Sequence, residues 1–103
     1  MISREEIEQK LRWGYTFFKG DGRLDEDDRL CIIAEATWMY LLGKDHKKIK
    51  TESYEGSIKQ IRKLSFLGSF CGPQYEATLE TNFGKCNLIF LVSEQTIDRC
   101  RNN

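Results

Sequence analysis

One acidic side chain, Glu35, interrupts a long apolar stretch of this sequence. The stretch covers residues 30–42, and only Glu35 and Thr37 within it are plainly polar. In a helix, at about 100° per residue, Cys31 and Trp38 flank Glu35. Such surroundings can raise a carboxyl pKa and create a catalytic acid. The alternative is a narrow solvated strip, or a carboxylate paired with an arginine of a neighbouring helix. We favour this alternative because no catalytic partner lies near Glu35 in the sequence.

Metal binding is the second chemistry that the residue types suggest. The four cysteines lie 40, 15 and 14 positions apart, without the close pairs of structural zinc sites. His46 is the sole histidine and lies among lysines. The acidic residues 21–28 do not form a calcium loop, because Arg23 and Glu26 occupy the third and sixth positions. We therefore predict no metal and no cofactor. A zinc site or a disulfide is a less favoured alternative, and in a cytosolic chain we expect free thiols at Cys31, Cys71, Cys86 and Cys100.

Recognisable catalytic motifs are absent from the sequence. It has no phosphate-binding glycine loop in a strand-to-helix context, no nucleophile elbow and no HExxH motif. Ser65 and Ser69 have no histidine nearby in the sequence. We predict that the protein is not an enzyme and has no catalytic residues.

The apolar stretch itself predicts a buried central helix. Acidic residues 25–28 precede it, where the unpaired N–H groups and the positive end of the helix dipole favour carboxylates. Gly43 follows it, at a position that favours left-handed backbone. Because residues 30–42 are apolar on nearly every side, we expect the helix in the centre of the domain.

Two further helices are predicted before the change of periodicity. Ser3 and Glu6 have the spacing of a capping box, and apolar residues recur at helical spacing as far as Phe18. A third helix is predicted over residues 53–67 from Tyr54, Ile58, Ile61 and Leu64. Residues 64–70 can also be interpreted as a strand.

The last third of the sequence favours strands. Residues 75–80 alternate between apolar and polar types, residues 82–85 form a turn, and residues 86–92 are apolar on both faces. A strand that is apolar on both faces needs cover, so either residues 47–52 add a third strand or the sheet edge pairs with another chain. A short helix follows from Ser93.

These elements predict an α+β fold in a single domain over residues 1–103. Its expected architecture is three N-terminal helices around a buried central helix, then a C-terminal antiparallel β-hairpin with a possible third strand, and a short terminal helix.

Composition limits the classes of partner. The chain has 103 residues, 40% of them hydrophobic, and a formal net charge of zero. The zero total does not favour nucleic acid or an anionic membrane. The N-terminal residues show no apolar secretion signal, so we expect a cytoplasmic protein.

Surface recognition is therefore the expected mode of action. The partner-binding candidates are large aromatic residues, Trp13, Phe17, Tyr75 and Phe83. The electrostatic candidates form an acidic corner and a basic segment: Asp25, Asp27, Asp28, Lys44, Lys47, Lys48, Lys50, Arg62 and Lys63.

The leading hypothesis is a small cytosolic protein that binds another protein sterically, as an inhibitor or accessory factor of the kind carried by phages and mobile elements. One alternative is a nucleic-acid-binding regulator that uses the basic residues 44–63. Another is a homo-oligomeric binder of a small ligand, assembled at the apolar strand 88–92.

Overall fold

Three helices and five strands are present in the residues that the computed structural model describes. These residues are 3–12, 15–20, 22, 24–43, 47–51, 54–64, 74–82 and 84–101, with the backbone alone at 15–19 and 47. In chain order the elements are α1 (Arg4–Leu11), β1 (Tyr15–Lys19), α2 (Glu26–Leu42), β2 (Lys47–Lys50), β3 (Glu55–Leu64), β4 (Gln74–Thr81), β5 (Gly84–Val92) and α3 (Glu94–Arg101).

The strands form one antiparallel sheet in the order β1-β5-β4-β3-β2. Consecutive strands β2 to β5 make a meander, and β1 joins it outside β5. The fold is a small α+β fold, but the predicted arrangement is wrong. The sheet has five strands in place of a hairpin with at most one addition, and the helices lie at the beginning, middle and end of the chain.

The third predicted helix is wrong because residues 55–64 form β3. Ile58 and Ile61 are three positions apart, a spacing that in a regular strand places side chains on opposite faces. A bulge between Ile58 and Gln60 shifts the register, so that Ile58 lies opposite Leu79 and Ile61 opposite Ala77 on one face. The extra residue thus makes a strand imitate helical periodicity.

The first predicted helix ends earlier than expected. Ser3 caps α1 by accepting a hydrogen bond from the Glu6 N–H at 3.2 Å, as the capping box predicts. The helix stops at Leu11, and Tyr15–Lys19 then forms β1, with Phe17 opposite Phe90.

Strand β5 is paired along both edges within the chain. It lies between β4 and β1, so neither of its edges is free. Residues 47–50 are a strand, but this strand pairs with β3 at the far side of the sheet. The hairpin turn is as predicted, since Gly84 has a φ of 109°.

The central helix α2 begins and ends as its sequence predicts. Asp25 is the N-cap and accepts a hydrogen bond from the Asp28 N–H at 2.8 Å. Gly43 takes left-handed backbone with a φ of 68°. Ile33 and Ala36 are fully buried, which confirms that α2 lies in the interior.

The helices cover one face of the sheet. That face supplies buried residues to a core shared with α1 and α2, among them Ile58, Leu79, Leu88 and Phe90. Gly56 lies where β3 approaches β4 closely: a Cβ built there would be 2.4 Å from the Glu80 backbone oxygen.

Candidate functional site

A cleft between α3 and the sheet brings charged and aromatic side chains together. It encloses about 230 Å³. Helix α3 forms one wall, the C-terminal half of α2 contributes one tyrosine, and β3 and β4 close the other side. The lining residues are Tyr40, Lys63, Tyr75, Glu94, Ile97, Asp98 and Arg101.

Helix α3 presents its four cleft residues at positions that share a helical face. Glu94, Ile97, Asp98 and Arg101 follow the spacing i, i+3, i+4, i+7. The Ser93 hydroxyl accepts a hydrogen bond from the backbone N–H of Thr96 at 3.2 Å and so holds the first turn of the helix.

Tyr75 forms the floor of the cleft. Only 4% of this residue is exposed. Its ring meets Tyr40 edge-on at 5.0 Å between centroids and stacks on Phe90 at 5.7 Å. This partner-binding candidate is therefore a largely buried ring that lines the cleft.

The phenol of Tyr75 stays protonated in this environment. Burial is the main reason that its pKa is raised to about 12, with further contributions from Tyr40 and Glu94, while Arg101 opposes the shift. A neutral phenol can both donate and accept a hydrogen bond. Among the described residues, its hydroxyl has no hydrogen-bond partner.

Four exposed charges surround this aromatic floor. Lys63, Glu94, Asp98 and Arg101 are all exposed. None of them makes an ion pair within the part of the chain that the structure describes. The cleft therefore offers two cations and two anions that have no ion-pair partner among the described residues.

Elsewhere on the sheet, two cations of β3 are paired with carboxylates of β4. On the face opposite the helices, the Arg62 Nε donates to Glu76 Oε1 at 2.8 Å, and Lys59 lies 3.7 Å from a Glu80 carboxylate oxygen. Asn87 also donates to Glu76, at 3.4 Å.

The structure divides the predicted basic segment between two faces. Lys48 and Lys50 are exposed on β2, on either side of the buried Ile49, and Arg62 shares their side of the sheet. Lys63 points to the helix side and enters the cleft. The backbone of Lys47 belongs to β2, and Lys44 and His46 lie outside the described residues.

The predicted acidic corner is mainly a helix cap. Asp25 and Asp27 are exposed in the first turn, whereas Asp28 is only 5% exposed. The carboxylate of Asp25 accepts a hydrogen bond from the backbone N–H of Asp28. Of the aromatic candidates, Trp13 and Phe83 lie outside the described residues.

Glu35 lies away from the cleft, at the contact between α1 and α2. Its Oε1 accepts a hydrogen bond from Arg4 Nε at 2.9 Å, and Arg4 also pairs with Glu8. Arg4 Nη2 reaches the Cys31 sulfur at 2.8 Å. The arrangement is the arginine pair from a neighbouring helix that the sequence favoured.

The thiols of this region are not activated. Burial raises the pKa of the Cys31 thiol, although Arg4 acts in the opposite direction. Burial also raises the pKa of Cys100, against the effect of Lys10. Both thiols are therefore protonated near neutral pH, unlike the thiolates of nucleophilic cysteines.

The described residues contain no group of three or more His, Cys, Asp or Glu side chains placed to hold a metal ion. Cys71 lies outside this part of the chain.

None of the helices in the described ranges combines the length and apolarity that a membrane crossing requires.

No protein-family model, no curated protein and no solved structure matches this chain.

Sequence reasoning missed five of the seven cleft residues. The spacing of Glu94, Ile97, Asp98 and Arg101 was visible as one helical face, but nothing local indicates what that face meets. Tyr40 lies within the apolar helix, and its sequence context predicts a core residue.

Proposed function

We propose that this protein is a non-enzymatic binding protein that acts on another protein by steric contact, as an inhibitor or accessory factor. The cleft beside α3 anchors the partner. A cytoplasmic site of action, and an origin among the small inhibitors of phages and mobile elements, belong to the same proposal.

The size of the cleft carries the proposal. Its volume is about 230 Å³, and pockets for small molecules usually enclose about 300–1,000 Å³ and bury most of the ligand. A smaller, open cleft holds one or two side chains that project from a larger partner. Contacts around the cleft would then supply the remaining affinity.

The arrangement of side chains also supports a protein partner. Tyr75 and Ile97 are 4% and 5% exposed and form a dense floor, while the four charges lie exposed around it. Protein interfaces commonly place aromatic residues at a desolvated centre with a polar rim. Tyrosine and arginine are among the residues enriched where truncation weakens binding most.

The two alternative functions have less support. Of the basic residues predicted for a nucleic-acid interface, Arg62 is paired with Glu76 and Lys63 lies in the cleft, so that Lys48 and Lys50 are the exposed cations left on the other face among the described candidates. A homo-oligomer assembled at β5 would need a free edge on that strand, but β1 already pairs with it there.

Affinity capture from a cytoplasmic lysate tests the proposal. Wild type, Arg101→Glu and Arg99→Glu serve as baits. Arg99 is the matched control because it is an exposed arginine on the same helix that does not line the cleft. We expect wild type and Arg99→Glu to retain the same protein and Arg101→Glu to lose it.

Two results would overturn the proposal: no protein is retained by wild type, or both arginine variants retain the partner equally. A Trp13→Ala bait tests an aromatic candidate that the sequence suggested. Loss of the partner with Trp13→Ala but not with Arg101→Glu would move the anchor from the cleft to Trp13.

A further inference from the structure

We propose that the cleft receives an extended peptide segment that carries one cationic and one anionic side chain on the same side of its backbone. This inference rests on the proposed function and specifies what the partner presents to the cleft.

The cleft residues of α3 change from acidic to basic along the helix. Glu94 and Asp98 lie on the first two turns and Arg101 on the last residue of the helix. At 1.5 Å per residue, Glu94 and Arg101 are about 10 Å apart along the helix axis. The electrostatic potential therefore changes sign along this wall of the cleft.

The charged side chains of the cleft have no ion-pair partners among the described residues. Lys63 adds a second cation from β3, and none of the four cleft charges forms an ion pair with a described residue. A ligand of one sign would be attracted by half of these groups and repelled by the other half. A ligand with both signs can pair with a cleft group of each sign.

Tyr75 brings a hydrogen-bonding hydroxyl to the lining of the cleft. Only 4% of Tyr75 is exposed, and its hydroxyl lacks a hydrogen-bond partner among the described residues. Because this phenol stays neutral, it can donate to a carbonyl or accept from an N–H. A peptide group offers both, so an extended backbone suits this hydroxyl.

The spacing of side chains in an extended peptide fits the cleft. Residues i and i+2 of a strand lie on the same side, about 7 Å apart. Flexible lysine and glutamate side chains extend that separation toward the distance between Glu94 and Arg101.

Titration of the ¹⁵N-labelled full chain with capped tripeptides tests this inference without knowledge of the partner. The probes are acetyl-Lys-Gly-Glu-amide, acetyl-Lys-Gly-Lys-amide and acetyl-Glu-Gly-Glu-amide. We expect the mixed-charge peptide to shift the amide signals of Tyr40, Tyr75 and Arg101 saturably. Its affinity should be about fivefold or more above that of either single-sign peptide.

Charge-reversal variants complete the test. Arg101→Glu should weaken binding of the mixed-charge peptide about fivefold, whereas Arg99→Glu should leave it unchanged. Equal binding of the three peptides, shifts confined to another surface, or no binding by any peptide would overturn the inference. If a lysate partner still depends on Arg101 in that case, the proposed function stands and only the mixed-charge assignment fails.

Discussion

The Arg4–Glu35 pair should couple the first two helices measurably. The Arg4 Nε and Glu35 Oε1 atoms are 2.9 Å apart, and the two side chains are 22% and 13% exposed. Removal of one partner from a fully buried pair costs about 3–5 kcal/mol. An exposed pair contributes only about 0–1 kcal/mol. Since this pair lies between the two limits, we expect Arg4→Met to lower the free energy of unfolding by about 2 kcal/mol.

Glu35→Gln separates the charge of the acid from its size. The second Glu35 oxygen, Oε2, is buried and has no hydrogen-bond partner in the described structure, so loss of Arg4 leaves a largely buried carboxylate without its main compensating charge. In a Glu35→Gln background that penalty disappears. We expect Arg4→Met to cost only about 1 kcal/mol there, which gives a coupling energy of about 1 kcal/mol.

Urea denaturation of the four proteins in this double-mutant cycle supplies the free energies, with equal m-values as the check on two-state behaviour. Glu8→Gln is the control, because Glu8 meets Arg4 across one helical turn and such pairs contribute about 0.2–0.5 kcal/mol. The coupling is refuted if the cost of the double substitution Arg4→Met/Glu35→Gln equals the sum of the two single costs to within about 0.3 kcal/mol. Glu35→Gln should also leave peptide binding unchanged, because Glu35 lies outside the cleft.

Three further changes test other parts of the structure. Gly56→Ala should destabilise the fold by about 2–3 kcal/mol, since the added Cβ would lie 2.4 Å from a backbone oxygen. Gly22→Ala is the control in thermal unfolding, because a Cβ at that position meets nothing within 4 Å. Asp25→Ala should lower the free energy of unfolding by about 1 kcal/mol, because α2 loses its N-cap hydrogen bond. Asp27→Ala lies in the same turn but removes no cap hydrogen bond, so it should cost less in urea titrations. Because the Tyr75 pKa is raised from 10.0 to about 12, the folded chain keeps a proton that the unfolded chain loses in this range, so stability falls as pH rises from about 10 to 12. Tyr75→Phe should reduce that fall when urea midpoints at about pH 9 and pH 11 are compared, and an unchanged slope would contradict the assignment.

Local signals account for the elements that were predicted well. The α2 boundaries follow from the Asp25 cap and the left-handed Gly43, and each signal acts within a turn of the residue that carries it. The β4–β5 hairpin follows from alternation and from the positive φ of Gly84. Neither inference requires knowledge of distant contacts.

The errors arose where a distant partner decides the conformation. Residues 15–19 have helical spacing but form β1 because β5 offers an edge that needs pairing. Ile58 and Ile61 also have helical spacing, and only the bulge opposite β4 places both on the core side of a strand. Strand preference depends on the neighbouring strands more strongly than helix preference depends on its surroundings.

The sequence alone determined the buried helix, its caps, the hairpin and the α+β class, because these depend on composition and on short-range periodicity. The tertiary structure decided the number and order of the strands, the pairing of Glu35 with Arg4 and the assembly of the cleft. Lys63, Tyr75 and Arg101 meet only because β3, β4 and α3 pack together, and contacts between residues so far apart in the chain leave no periodic trace in the sequence.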